Sequence, residues 1–369
     1  MSHCFTAAQQ FTPQGRVLDV KEYGQGNINA TFLVTLEGAA VKSFILQRLN
    51  TKVFPRPELI MENLRTFTAH LRGRLQQESL PPGRRWEVPE VLLTAGGQDH
   101  WFDPDGAFWR ALSFIDQARS QDTIQDLEHA REVGYALGRF HYLLSDLPPE
   151  RLADPLPGFH HLPRYLRHYD QVIAQGPGKQ SPEADWCHRY VAARRAGAGV
   201  LEEAKAAGKL PRRTIHGDPK VNNVLLDAAS GRAVALIDLD TVKPGLVHYD
   251  LGDCLRSGCN PLGEETGDWQ AVHFDSEICR ALLRGYLSQA RGFLTSGDYD
   301  YLFAAIRLLP FELGLRFFTD YLAGNVYFKV RSPEHNLARA LVQFRLMESI
   351  ELQERVIRGI IGELAGGEF

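Results

Sequence analysis

Thr214–Asp227 reads T-I-H-G-D-P-K-V-N-N-V-L-L-D, Ala235–Thr241 reads A-L-I-D-L-D-T, and His248–Asp253 reads H-Y-D-L-G-D. Asn223 stands five residues after Asp218; Asp238 stands twenty after it, closing the apolar run Val234–Ile237. Val221–Leu226 and Val234–Ile237 read as the strands of a hairpin entered through the turn Gly217, Asp218, Pro219. Asp and Asn are frequent in turns because their side chains bond to the local backbone. A turn alone, however, does not require His-Gly-Asp, an Asn five residues on and an Asp at the end of the next strand.

The spacing H-x-D-x-x-x-x-N, followed by a strand ending in Asp, matches the catalytic loop of protein-kinase-type phosphotransferases, with Gly217 where those enzymes carry Arg. Phosphoryl transfer needs little covalent help, so the protein must place a hydroxyl in line with the γ-phosphate and neutralise charge. In such a site Asp218 orients the attacking hydroxyl and takes its proton, and Lys220 meets the charge growing on the γ-phosphate. Magnesium prefers oxygen ligands, which Asn223 and Asp238 supply. The expected phosphate donor is ATP.

Outward from this stretch, the N-terminal third reads as strands. Val17–Ala40 is a strand, a glycine turn and a second strand; the turn carries Gly24, Gly26 and Asn27, whose backbone amides suit nucleotide phosphates. Ser43–Leu49 is the next strand, where a kinase keeps a phosphate-gripping lysine. Here the chain offers Gln47 and Arg48, which alternation puts on opposite faces, so the sequence leaves the clamp open between them; Arg48 is the cation of the two. Pro57–Gln76 has helical apolar spacing, with Glu62 as a possible partner for that cation. Val88–Thr94 and Ala107–Ile115 read as further strands around a turn at Gly96–Gly106. The chain then crosses at Ser113–Asp116, where backbone at Ile115 is expected to meet adenine.

The remainder reads as helical. Asp122 or Thr123 is expected to cap a helix striped by Ile124, Leu127, Val133, Leu137, Phe140 and Leu144, with His141 as a hydrogen-bonded core residue. Pro148–Pro163 reads as a proline-rich linker, and Leu162–Ile173 and Glu183–Ala207 as helices. Only about a dozen residues separate the hairpin from Asp250, too few for a peptide-docking segment, so a small acceptor is expected and Asp250 is expected to brace the catalytic loop. Asn260–His273 is a polar insertion bordering the expected pocket; Phe274–Ser288, Asp298–Ala323 and Pro333–Leu364 read as three helices. Arg316 and Asp320 lie four apart on one helix face, followed by Tyr327 and Lys329 in an aromatic run. A few polar groups among apolar faces suit a sugar, although an internal ion pair would give the same pattern.

The fold class that follows is α+β and bilobal, protein-kinase-like. Residues 1–115 form a small antiparallel sheet lobe with one long helix, and residues 116–369 a larger, mainly helical lobe. A net charge of −4 argues against a nucleic-acid partner, and no apolar run approaches the length of a membrane span. The five cysteines show no metal spacing and fit reduced thiols, so a cytoplasmic enzyme is expected.

With these residues in hand, the chain resembles the aminoglycoside phosphotransferase and choline kinase superfamily. The strings H-G-D-P-K-x-x-N-V-L-x-D, A-L-I-D-L-D-T-V-K-P-G-L-x-H-Y-D-x-G-D and E-L-G-L-R-F-F-T-D-Y-L-x-G-N-V-Y-F-K look more closely like bacterial N-acetylhexosamine 1-kinases. That resemblance implies transfer from ATP to the anomeric hydroxyl of N-acetylglucosamine or N-acetylgalactosamine. It also implies Asp218 as base, Asn223 and Asp238 as magnesium ligands, and Thr241, Arg316 and Tyr327 around the sugar. The absent strand lysine departs from the wider superfamily. A kinase of homoserine, choline or an aminoglycoside is the alternative on the same fold. Arg316, Lys329 and Arg331 in the candidate acceptor segment disfavour a polycation.

Overall fold

Alternating apolar residues build an antiparallel sheet in the N-terminal part of the chain. The structure is a computed structural model and describes residues 3–11, 15–24, 28–38, 42–176 and 180–367. A short helix unforeseen in the sequence, α1 (His3–Gln10), comes first. Strands β1 (Arg16–Glu22), β2 (Ala30–Glu37) and β3 (Ser43–Arg48) follow, then the long helix α2 (Pro57–Gln77), whose proline sits in the first turn. Next come β4 (Val91–Leu92), β5 (Trp101–Phe102) and β6 (Phe108–Ser113). The sheet order is β1-β2-β3-β6-β4, with β5 also pairing β6. β4 is shorter than expected, because Pro89 lacks the N–H that would extend it upstream. β5 lies inside the expected turn at Gly96–Gly106.

The two faces of the sheet are covered differently. Phe44, Leu46, Trp109 and Ala111 pack with Ala7 and Ala8 of α1. On the other face, Phe108 joins Ile60, Leu64 and Phe67 of α2 in the main core. Glu62 is exposed, and it is the neighbouring Asn63 that turns inward. Asn63 Nδ2 donates to the carbonyls of Ala153 and Val242, both at 2.9 Å, and its Oδ1 accepts from Ala153 N.

The strand β7 (Ala118–Arg119) leaves that sheet for a second one. Helix α3 (Leu127–Leu143) starts at Asp126, whose carboxylate accepts from His129 N at 2.7 Å. The cap therefore lies downstream of the expected Asp122 or Thr123, and Ile124 belongs to the preceding turn. After α4 (Leu162–Ala174), the expected single helix is broken into α5 (Pro182–Arg194) and α6 (Val200–Ala206), with Gly197 and Gly199 in the break. Then come β8 (Arg213–Ile215), β9 (Val224–Asp227), β10 (Ala233–Leu236) and β11 (Lys243–Gly245). They form the sheets β10-β9-β7 and β11-β8. Helices α7 (Val247–Gly258), α8 (Ser276–Ala290), α9 (Ser296–Asp300), α10 (Leu302–Leu322), α11 (His335–Leu352) and α12 (Glu354–Gly366) complete the chain. The break between α9 and α10 follows a Thr295–Asp298 capping box, and α11 and α12 part at Gln353 where one helix was expected.

α3 and α8 approach backbone to backbone: a Cβ on Gly134 would lie 1.9 Å from Leu282 O, and one on Gly285 1.9 Å from Arg131 O. The proline-rich segment 148–163 is not a loose linker. Buried Lys243 holds it through Asp154 at 3.0 Å, Leu156 O at 3.2 Å and Phe159 O at 3.4 Å.

Candidate active site

The turn between β8 and β9 is held from beneath by one carboxylate. Asp250, on the first turn of α7, accepts from His216 N at 2.6 Å, from Gly217 N at 2.8 Å and from His141 Nε2 at 2.9 Å. Tyr286 in turn lies 3.0 Å from His141 Nδ1. Burial alone would raise Asp250, but His141 and these donors leave it below its ordinary value. The expected brace and the expected core histidine are thus one contact. Gly217 adopts φ +89°, and a Cβ there would lie 2.7 Å from Thr241 O. The residue between His216 and Asp218 must therefore be glycine. His216 is buried, accepts from Asp218 N and donates through Nε2 to Ile237 O at 3.0 Å, an arrangement suited to neutral imidazole. Burial pushes its pKa down accordingly.

Asp218 is partly exposed and paired with Lys220 Nζ at 3.0 Å. Burial would raise its carboxyl, but Lys220 and, further off, Arg256 outweigh that and hold it below the usual carboxylate range. Asp218, and then Asp238, keep Lys220 charged above its ordinary value despite the cost of burial. Asn223 donates from Nδ2 to Asp218 O at 2.7 Å, which leaves Oδ1 as the free acceptor of the amide. Ile237 N bonds to Asn223 O at 2.9 Å, so Asp238 emerges next to the Asn223 backbone. Asp238 stands in left-handed backbone, φ +61°. It is exposed yet ringed by protein: that enclosure, then Asp240 and Asp218, push its carboxyl up to about 7. Like charges and hard oxygen donors of this kind fit a divalent cation.

On the sheet side, placement overturns the expectation for Arg48. It projects on the α1 face of β3, its guanidinium 5.9 Å from the centre of the Trp109 ring. Gln47 faces the opposite way, and its cross-strand partner is Arg110 on β6. Arg110 is 1% exposed. It donates to Gln47 Oε1 at 2.7 and 3.0 Å and forms an ion pair with Asp240. Asn29, from the glycine turn, also donates to Asp240 at 2.6 Å. The inner-face cation of the sheet is therefore Arg110. Sequence reasoning does not single it out, and only the β3–β6 register brings it to Gln47. Gly24 has φ +74°, and its neighbour Tyr23 packs edge-on against Phe114 with ring centres 6.0 Å apart. Ile115 is buried against Val234 and Ala235. Gly26 and Asn27 lie outside the described residues.

Asp218, Lys220 and Thr241 open on a cavity whose other walls include Phe159 and His160 of segment 148–163, Glu312 and Arg316 of α10, and Tyr327 and Phe328 beyond it. Glu264, from the polar insertion, also lines it. Thr241 Oγ1 donates to His216 O at 2.9 Å. Arg316 stands among Phe159, Tyr165 and Phe328, with ring centres 5.1 to 5.4 Å from its guanidinium. It does not pair with Asp320. That carboxylate instead accepts from the backbone N–H groups of Val326, Tyr327 and Phe328 and from Asn336 Nδ2, all within 3.0 Å. Asp320 therefore shapes the loop that presents Tyr327.

Two residues of this cavity escape sequence reasoning. His160 is buried in left-handed backbone, φ +63°, between Glu312 at 2.9 Å and Gly217 O at 2.7 Å. No periodicity marks it. Asp253 falls three residues after Asp250 on α7, and that helical spacing was the available signal.

Comparison with known proteins bears on this geometry. The phosphotransferase enzyme family (APH) is matched over residues 19–292. In fold the chain is similar to the microcompartment-associated aminopropanol kinase, with a TM-score of 0.63 and 17% identity over 96% of this chain and 98% of that one. It is similar to the choline kinase of Cryptosporidium parvum Iowa II, with a TM-score of 0.59 and 13% identity over 94% and 93%. It is similar also to aminoglycoside 2'-phosphotransferase-IIIa in its GDP complex, with a TM-score of 0.56 and 14% identity over 96% and 100%. These solved structures share the two-part architecture at low identity, and the family match takes in both the N-terminal sheet and the hairpin with its motifs. The chain belongs to the phosphotransferase enzyme family.

Proposed function

We propose that this protein is an ATP-dependent sugar kinase that phosphorylates the anomeric hydroxyl of N-acetylglucosamine or N-acetylgalactosamine, giving the sugar 1-phosphate and ADP. The observation that carries the reading is a shared cavity: Asp218, Thr241, Arg316 and Tyr327 all line one hollow. Charge supports a neutral acceptor. The carboxylates of that hollow are met by cations, Asp218 by Lys220, Asp253 and Glu264 by the one guanidinium of Arg256, and Glu312 by His160. Arg316 meets no carboxylate within ion-pair distance among the described residues. A polycation would meet carboxylates that already face cations, and the guanidinium of Arg316 besides.

In this reading Asp218 accepts the proton of the anomeric hydroxyl as its oxygen bonds to the γ-phosphorus and the bond to the β-phosphate oxygen breaks. A hemiacetal hydroxyl is more acidic than an ordinary alcohol, so a carboxyl held at a low pKa by Lys220 suffices. Lys220 keeps its charge beside the transferring group. Asn223 Oδ1 and Asp238 would hold magnesium, which neutralises phosphate charge when bound. Gly24 and Ile115 flank the nucleotide side, and Arg110, buried on the inner face of the sheet, supports that side through Gln47 and Asp240. Among the described residues no helix is long and apolar enough to cross a membrane.

Asp218→Asn is expected to keep its melting transition and its ATP binding while losing transfer by about 10²- to 10⁴-fold. Near-normal turnover by that variant defeats the base assignment. ADP release should be fastest with the two N-acetylhexosamines among a panel that includes homoserine, choline and kanamycin; preference for choline or kanamycin overturns the substrate. Phosphorus NMR of the product should show coupling to the anomeric proton.

A further inference from the structure

Asp250 and Asp253 sit one helical turn apart on α7, and their oxygens are used differently. Both oxygens of Asp250 are engaged by the catalytic loop. Asp253 is 6% exposed and lines the acceptor cavity. Its Oδ1 accepts from Arg256 Nε at 2.8 Å. Its Oδ2 is buried and meets no donor among the described residues. Arg256 meets only Oδ1 of this carboxylate, and its Nη1 is turned to Glu264 at 3.0 Å. Folded proteins leave few buried carboxylate oxygens without a donor, since desolvation without a hydrogen bond is costly.

Apart from the Tyr327 hydroxyl, the charged donors elsewhere in the wall are already engaged. Lys220 faces Asp218 at 3.0 Å, His160 spends both nitrogens on Glu312 and Gly217, and Arg339 is paired with Glu265. The cavity thus presents N–H donors at Arg316 and an acceptor at Asp253. A ligand that satisfies both carries acceptors and donors besides the group that reacts, as a polyhydroxylated sugar does. Choline would leave Oδ2 unsatisfied, because its single hydroxyl is the reacting one and its quaternary nitrogen carries no hydrogen.

We propose that Asp253 Oδ2 accepts a hydrogen bond from a hydroxyl or amide N–H of the acceptor sugar, away from the anomeric position, and so determines specificity. This rests on the sugar-kinase reading above. Arg256 neutralises the carboxylate without filling it, which suits a neutral donor better than a cationic one.

The test is steady-state kinetics of Asp253→Asn with N-acetylglucosamine, its monodeoxy analogues at each ring hydroxyl, and the analogue with an ester in place of the amide. The variant is expected to raise KM for the sugar by about tenfold to a hundredfold and to leave KM for ATP within about twofold. Wild type is expected to penalise one analogue by a similar factor, a discrimination the variant loses. The position of that loss separates hydroxyl from amide. An unchanged sugar KM, equal effects on both substrates, or undiminished discrimination at every position overturns the proposal. Should the variant lack a melting transition, the wild-type complex with sugar and a non-hydrolysable ATP analogue decides. Every sugar donor lying beyond about 3.5 Å from Oδ2 then overturns it, and a donor within that distance supports it. If wild type phosphorylates neither hexosamine, the functional reading fails first. The same Asp253 measurements are then made on whichever acceptor releases ADP.

Discussion

His160 carries charge where water is scarce. Burial pulls its pKa down, but Glu312 at 2.9 Å, aided by Asp253 and the Gly217 carbonyl, leaves it above its ordinary 6.5. Both ring nitrogens face acceptors, as an imidazolium requires. A group whose pKa rises on folding holds its proton more tightly in the native state. Its contribution to stability is therefore complete below 6.5 and is lost as pH climbs through the folded value. His129, His188, His216 and His248 are shifted the other way by burial, so only a difference between proteins isolates His160. His160→Asn tolerates the left-handed backbone. Its deficit in unfolding free energy against wild type is expected to shrink as pH rises above about 6.5 in denaturant titrations. A deficit constant between about pH 6 and pH 9 would remove the charged pair from the account.

At the scale of elements, glycines separate packing from propensity. On α3, Gly134 leaves no room for a methyl group beside Leu282 O, whereas on α2 a Cβ at Gly73 meets nothing within 4 Å. Gly134→Ala is expected to destabilise by about 3 kcal/mol, and Gly73→Ala to stabilise by about 0.5–1 kcal/mol, both read from thermal melts. The same contrast explains what the sequence revealed. β3, α2, α3 and the β9–β10 hairpin were legible because their apolar spacing is local, and so was the brace at Asp250, which sits beside its motif. His216, Asp218, Asn223 and Asp238 all come from one short stretch. Arg110 was not legible, because its partners Gln47 and Asp240 lie 63 and 130 residues away and only the strand register brings them together. Arg48 looked like the phosphate cation because a strand's composition does not say which face is covered, and α1 covers the face it stands on. His160 and the pocket wall around it were hidden because a proline-rich stretch carries no period. The merged helices α5–α6 and α11–α12 show the limit of periodicity itself, which survives a one-turn interruption.

For the molecule as a whole, the sheet part and the helical part are joined by buried polar groups at the site. Asn63 ties α2 to Ala153 and Val242, while Arg110 and Asn29 tie the sheet to Asp240, two residues beyond Asp238. Removing one member of a buried ion pair strands the other. Arg110→Met is expected to cost about 3–5 kcal/mol of stability in urea unfolding, and Arg110→Met with Asp240→Leu distinctly less. With Asp240→Leu measured alone as well, a double-variant loss equal to the sum of the two single losses would mean that the pair is not coupled across the two parts. Neither variant is expected to retain full turnover, because both alter the support of the Asp238–Thr241 turn.

Lys243 fastens the segment Asp154–Phe159 from behind, while His216, Asp218, Asn223 and Asp238 sit on and beside the hairpin in front. In the proposed reading, the segment up to Phe159 and the loop at Tyr327 can therefore vary while His160 and the hairpin residues keep their places. Descendants of such a scaffold can change diet while inheriting their machinery intact.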